Sequence, residues 1–286
     1  MTVVDEELRR IKTKILNHDL PVWEDYSLLQ EPPLEERLDN HYYSVAYEKA
    51  LLELKKLDSA DYEPKCLEVM VAAYFTGLEP KEEGDIPLIE KANVMPNVVL
   101  PSFEKFGTIE DDNPRMQQRN MKRVVQADDL LLSKDGSPGV VSAVTEGLIE
   151  ELRDKLDYEQ AAVATHVYRI VLNEEHRKYA PFIGAFMNSK LGQALVRRYV
   201  SGSVSPTIRR NDVGRILVVV PKDDTLADEM REKLAELQRQ AVAYSMNVGL
   251  SNDLVSQMFG FMPDIPRLPI NWMPGAKRDP HGYDKE

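Results

Sequence analysis

Apolar residues recur at helical spacing near both ends of the chain and crowd into short runs between them. Leu8, Ile11, Ile15 and Leu16 mark one side of an amphipathic helix within residues 1–20. Leu34, Leu38, Tyr42, Ala46, Ala50 and Leu54 predict a second helix over Leu34–Leu57. Pro21 and Pro32-Pro33 lie in the link that separates them. From Lys65 to Leu100 the texture becomes short runs broken at Gly77, Pro80, Gly84 and Pro87. Leu130–Gly139, LLLSKDGSPG, reads as a buried strand entering a tight turn, because Gly136 and Gly139 tolerate positive φ and Pro138 presets a turn. ATHVYRIV predicts a strand containing His166, while Phe106–Arg123 is polar and yields no element.

Near the C-terminus, Thr225 followed by Asp228 fits a variant capping box at a helix start. Leu226, Met230, Leu234, Leu237, Ala241, Tyr244 and Val248 then form an a/d stripe of about three heptads. Such a stripe packs either on a partner helix or on its own domain. Gly249 ends it, Ser251–Phe259 predicts a shorter helix, and five prolines from Pro263 to Pro280 make an irregular tail.

Composition changes this picture in two ways. With 43% hydrophobic and 29% charged residues, the 286-residue chain has the balance of a folded soluble protein. Its longest aliphatic run, Ile216–Val220, is far short of the roughly 20 residues needed to cross a bilayer. Charges in MTVVDEELRRIKTKIL replace the apolar core of a signal peptide, and Cys66 is alone, so a cytoplasmic location without disulfides or thiolate clusters is expected. The net charge of −12 opposes nucleic-acid binding, but its distribution does not. Arg169–Lys222 carries 10 basic residues against 3 acidic ones.

Chemistry-bearing patterns are sparse. His18, His41, His166, His176 and His281 show no metal-ligand spacing, and no phosphate-cradling glycine loop, HExxH or nucleophile elbow occurs. Asp111-Asp112 and Asp128-Asp129 read as solvated turns rather than metal ligands. Arg197, Arg198, Arg209 and Arg210 flank a hydroxyl-rich loop containing Ser201, Ser203, Ser205 and Thr207, a mixture suited to phosphate and base-edge contacts. Lys134 and Ser137 in the glycine turn could serve the same purpose, or the turn could simply join two strands. Arg115, Arg119, Lys122 and Arg123 are the basic members of the unassigned segment.

Five stretches together resemble the target-recognition domain of type I restriction–modification specificity subunits. They are Arg37-Leu38-Asp39 with Tyr42-Tyr43; Ile86-Pro87-Leu88-Ile89 with Asn93; Leu132–Gly136; Asn188-Ser189-Lys190 with Gly192-Gln193; and Ser201–Pro206. The likeness spans Leu34–Val248. It implies an α+β fold: a target-recognition domain with a mixed β-sheet and flanking helices, then a long coiled-coil-like helix. The parts would be an N-terminal helical arm (1–33), the recognition domain (34–222), spacer helices (223–260) and a tail (261–286). A complete specificity subunit has two recognition domains and two spacer helices, and this chain has room for one of each.

The resemblance implies a non-catalytic subunit of a defence system that needs no cofactor or metal and reads half of a bipartite double-stranded DNA site. Its partners would be a modification methyltransferase, a translocase or restriction subunit, and a second copy held as a homodimer through Leu226, Met230, Leu234, Leu237, Ala241 and Tyr244. DNA contacts would come from Lys134, Ser137, Arg115, Arg119, Lys122, Arg123, Arg197, Arg198, Ser201, Ser203, Thr207, Arg209 and Arg210, whereas Asn188 to Gln193 would scaffold the domain. The N-terminal arm, the acidity and the proline-rich tail depart from the family. A scaffold or decoy that keeps the fold without reading DNA is the alternative, and a nuclease is a more distant one.

Overall fold

The computed structural model describes residues 3–6, 9, 45–58, 61–202 and 205–247. The greater part of the N-terminal arm, residues 34–44, the Ser251–Phe259 helix and the proline-rich tail lie outside it. Helix α1 (Val45–Asp58) buries Tyr47, Ala50, Leu51, Leu54 and Leu57. Strand β1 (Tyr62–Cys66) turns through Leu67–Val69 into β2 (Val71–Thr76). Four short strands follow: β3 (Ile86–Ile89), β4 (Val94–Met95), β5 (Val98–Val99) and β6 (Phe106–Gly107). Next come helix α2 (Pro114–Met121), the hairpin β7 (Leu130–Ser133) and β8 (Val141–Ala143), and helix α3 (Glu146–Leu156). Strands β9 (Ala162–Val163) and β10 (Val167–Leu172) precede helices α4 (Ala180–Asn188) and α5 (Lys190–Arg197). The ribbon β11 (Val200–Ser201) and β12 (Thr207–Ile208), helix α6 (Arg210–Val213), strand β13 (Leu217–Pro221) and helix α7 (Asp224–Asn247) complete the described chain.

The central sheet has the order β2-β10-β7-β8 and is antiparallel throughout. Successive strand residues face opposite sides, so a strand covered on both sides is apolar without alternation. That is why LLLS is continuous: Leu130 and Leu132 enter one core with Tyr168 and Ile170, and Leu131 enters the other with Val167. The first core is closed by α1, α4, α5, β13 and α7, and the fully buried Val4 joins it. The second lies under α3, with Leu148 and Leu152, and beside β3 through Ile89. The sheet β6-β3-β9 contains the parallel pair β3–β9, so the mixed character predicted for the fold resides there.

The Asp128-Asp129 pair is not a solvated turn. Asp129 is fully buried, its Oδ2 2.6 Å from the Arg169 Nε donor, and it accepts a second bond from the Gln126 amide at 2.6 Å. Arg169 also donates to the Lys122 carbonyl at 2.7 Å. Burial pushes the Asp129 carboxyl above its ordinary pKa, and the Arg169 charge opposes that shift. Asp128 binds Arg231 of α7 at 2.5 Å. Both carboxylates join elements that are distant in sequence, which a reading of neighbours in the chain does not reveal.

Helix α7 also corrects two expectations. Its N-cap is Asp223, whose Oδ1 accepts the Thr225 amide at 2.9 Å; Thr225 is inside the first turn. The a/d stripe faces inward, not toward a second chain. Met230, Leu234, Leu237 and Ala241 are buried in the first core, and Leu226 packs against it half-buried. Gln238, fully buried on the same helix, brackets Val99, accepting from its amide at 2.8 Å and donating to its carbonyl at 2.6 Å. These residues are therefore unavailable to a partner helix. The Tyr244 side chain lies outside the described residues.

Lys178 and Tyr179 hydrogen-bond to Asp224, the Tyr179 hydroxyl at 2.6 Å, and these bonds hold the carboxyl below its ordinary pKa of 3.8. The Thr225 amide lowers Asp223 likewise. A depressed folded-state pKa contributes stability above the unfolded value and loses it as pH falls through the folded value. The thermal midpoint is therefore expected to drop as pH is lowered from just above 4 downward. Asp224→Asn should shrink that decline. Calorimetry across this range checks both.

Candidate nucleic-acid interface

One end of the central sheet gathers residues that the sequence scatters. There β2 ends at Thr76, β7 ends at Ser133, β10 begins at Val167 and β8 begins at Val141. The β7–β8 connection is a hairpin closed by Gly139 N donating to Ser133 O at 3.0 Å, with Gly136 at φ 73° and Gly139 at φ 99°. Ser133 Oγ braces it from inside, donating to Ser137 O at 2.7 Å and accepting from Val140 N at 2.9 Å.

The outer side of this hairpin is joined to the hydroxyl-rich ribbon. Ile208 N donates to Lys134 O at 2.9 Å, Gly136 N donates to Pro206 O at 3.2 Å, and Thr207 Oγ1 donates to Lys134 O at 3.2 Å. Lys134 N in turn donates to His166 O at 2.9 Å. These bonds place the Lys134–Gly136 turn beside Pro206–Ile208. Lys134 is half-buried there; Ser137, Arg209 and Arg210 are exposed. Ser201 Oγ and Thr207 Oγ1 both donate to backbone carbonyls, which leaves only their acceptor lone pairs for a ligand. Ser203 lies outside the described residues.

Two arginines cover the free edge of β2. Arg210 Nη2 donates to Tyr74 O at 2.9 Å, and Arg123 Nε donates to Thr76 O at 3.0 Å. Side-chain donors here satisfy carbonyls that an edge strand otherwise leaves open. The same bonds bring the 115–123 and 209–210 segments alongside one strand. Burial, and secondarily the Arg119 charge, lowers the Arg123 pKa from its ordinary value. Arg115, Arg119 and Lys122 are exposed on or just beyond α2.

Arg197 and Arg198 separate. Arg197 is half-buried, and Arg198 is 1% exposed, its guanidinium 4.2 Å from the Tyr47 ring centre and 5.7 Å from that of Tyr199. Arg198 follows α5 in helical conformation and is turned under α1, where aromatic faces favour a weakly hydrated guanidinium. It is a core residue and not a DNA contact.

Three features escaped the sequence reading. Helix α2 is one; its local signal was Asn113-Pro114, and the Asn113 side chain does accept the Arg115 amide at 3.0 Å with proline at the first helical position. His166 is another: it lies in the turn before β10, not in the strand, with its side chain half exposed and Nδ1 2.8 Å from Asp135 Oδ2. The third is Lys91, whose Nζ approaches the same carboxylate at 3.9 Å. No sequence signal links Lys91, Asp135 and His166, which the tertiary fold alone brings together. Among the described residues no cluster of His, Cys, Asp and Glu is placed to hold a metal ion, and no helix is long and apolar enough to cross a membrane.

The solved structures similar to this chain include components of type I restriction–modification systems. One is the S subunit from M. genitalium, 16% identical over 91% of this chain with a TM-score of 0.39. The HsdS subunit from Thermoanaerobacter tengcongensis is 11% identical over 90%, with a TM-score of 0.35. A type I R-M system structure concerned with complex assembly and conformational transition matches at 11% identity over 90%, with a TM-score of 0.39. The chain spans 54–59% of the length of these neighbours. No family model matches the sequence, and no curated protein matches it.

Proposed function

We propose that the chain is a non-catalytic, sequence-specific DNA recognition subunit of a type I-like restriction–modification system. In this reading it binds half of a bipartite site and docks a methyltransferase partner, which performs the chemistry. The observation that carries it is the convergence at one sheet end. The Lys134 hairpin, the ribbon ending at Arg210 and the Arg115–Arg123 segment, chosen from sequence as separate candidates, meet there, and the exposed Arg209 side chain makes no hydrogen bond or ion pair with a described residue. Exposed arginines and lysines neutralise phosphates and release condensed counterions. Rigid backbone turns then hold polar side chains at base edges. The acidic remainder of the molecule limits non-specific adhesion and orients this end toward the duplex. A bipartite site needs a second recognition domain, and the buried α7 stripe does not supply the contact to it.

Full-length protein is expected to bind duplex DNA with an affinity that falls steeply as salt rises, measured by fluorescence anisotropy across a salt series. A preferred half-site should emerge from selection on a randomised duplex pool. Salt-independent or undetectable binding would leave the scaffold or decoy role instead.

A further inference from the structure

Helix α2 differs from the other described α-helices in burying none of its residues. An isolated helix of 8 residues is not stable in water, and helices in folded proteins normally gain stability by burying an apolar face. This one is held by polar anchors at its ends. Asn113 caps its start, and Asn120 Nδ2 donates to Thr108 O at 3.2 Å. Beyond its end Arg123 reaches back to Arg119 O at 2.8 Å while fixed to Thr76 O. Asp85 accepts the Ile109 and Glu110 amides, both at 2.8 Å, and fixes the approaching chain.

With Asn120 directed at the domain, the opposite stripe follows from the helical repeat. It consists of Arg115, Gln118, Arg119 and Lys122, at i, i+3, i+4 and i+7. All four are exposed, and their side chains make no hydrogen bond or ion pair with a described residue. Three cations and one amide thus project from a braced helix about 12 Å long.

We infer that α2 is a recognition helix whose Arg115–Lys122 face enters the major groove of the duplex, with Gln118 reading a base edge. The inference rests on the DNA-recognition reading above and adds to it the element and the residue that specify sequence. A helix of this width fits the groove, arginine matches guanine O6 and N7, and glutamine matches adenine N6 and N7. Charge complementarity selects a polyanion for this face.

The test compares wild type with Gln118→Ala and with Arg115→Ala/Arg119→Ala by selection on a randomised duplex pool, followed by salt-dependent affinity for the selected duplex. Removing the Gln118 amide is expected to relax preference at one base position by roughly tenfold while leaving the salt slope unchanged. The double arginine variant should lower both affinity and slope. Because these side chains bond no described residue, thermal midpoints should match wild type, which separates a defect in DNA binding from a defect in folding. Wild-type selection of a motif that both variants reproduce unchanged overturns the inference alone. Failure of the wild-type protein to bind duplex overturns the inference and the reading beneath it.

Discussion

Replacing Gly192 with valine is expected to destabilise the native state severely. The glycine stands where α4 hands over to α5, with Ser189 ending the first helix and capping the second; its Oγ accepts the Gly192 amide at 3.0 Å. A Cβ at this position would lie 2.0 Å from Phe186 O and 2.7 Å from Met187 Cα. Both obstacles are backbone, so no rotamer change relieves the clash and α5 must move away from α4. Over-packing of this severity costs about 3 kcal/mol or more, a large share of the roughly 5–15 kcal/mol that holds a domain together.

The displacement would also reach the proposed DNA-facing end. Asn188 clamps the start of β8, donating to Val141 O and accepting from Val141 N at 3.0 Å, and Gln193 donates to Gly139 O at 2.8 Å. Gly192→Ala should be destabilised for the same reason, since one Cβ already meets both atoms. Thermal unfolding followed by circular dichroism checks this; a valine variant melting within a few degrees of wild type would falsify the close-approach account.

What the sequence made legible was local chemistry. The LLLSKDGSPG hairpin was readable because its turn residues and apolar run decide the structure within a dozen positions. The scaffold role of Asn188–Gln193 came through resemblance, and the hydrogen bonds to Val141 and Gly139 supply its physical basis. Helix α2 stayed hidden because a helix without a buried face has no apolar period, although Asn113-Pro114 announced its start. The α7 stripe was legible as a helix and ambiguous in destination. Packing on β5 and α4 demands the same spacing as packing on a partner, and only tertiary bonds such as Gln238 to Val99 distinguish them. Arg198 misled because cations are ordinarily superficial. The cluster of Lys91, Asp135 and His166 had no signature, since the fold alone brings those positions together.

Arg209 and Arg210 together should account for the largest fall in DNA binding available from two surface substitutions. They directly follow β12, whose partner turn carries Lys134, and both are exposed. Arg210 is oriented by its bond to Tyr74 O while its other guanidinium nitrogens bond no described residue, and Arg209 lies beside it in the chain. Arg209→Ala/Arg210→Ala is expected to weaken duplex binding by about tenfold or more at moderate salt. The slope of log affinity against log salt should also fall by about two, roughly one for each phosphate no longer neutralised. Its melting temperature should stay near wild type, because among the described residues only one side-chain hydrogen bond, from Arg210 to the carbonyl of Tyr74, is removed. Arg210→Lys restores the charge without the fork that can hold a carbonyl and a phosphate at once, so it should recover the slope better than the affinity. An unchanged slope in the double variant would move the DNA surface away from this end of the sheet.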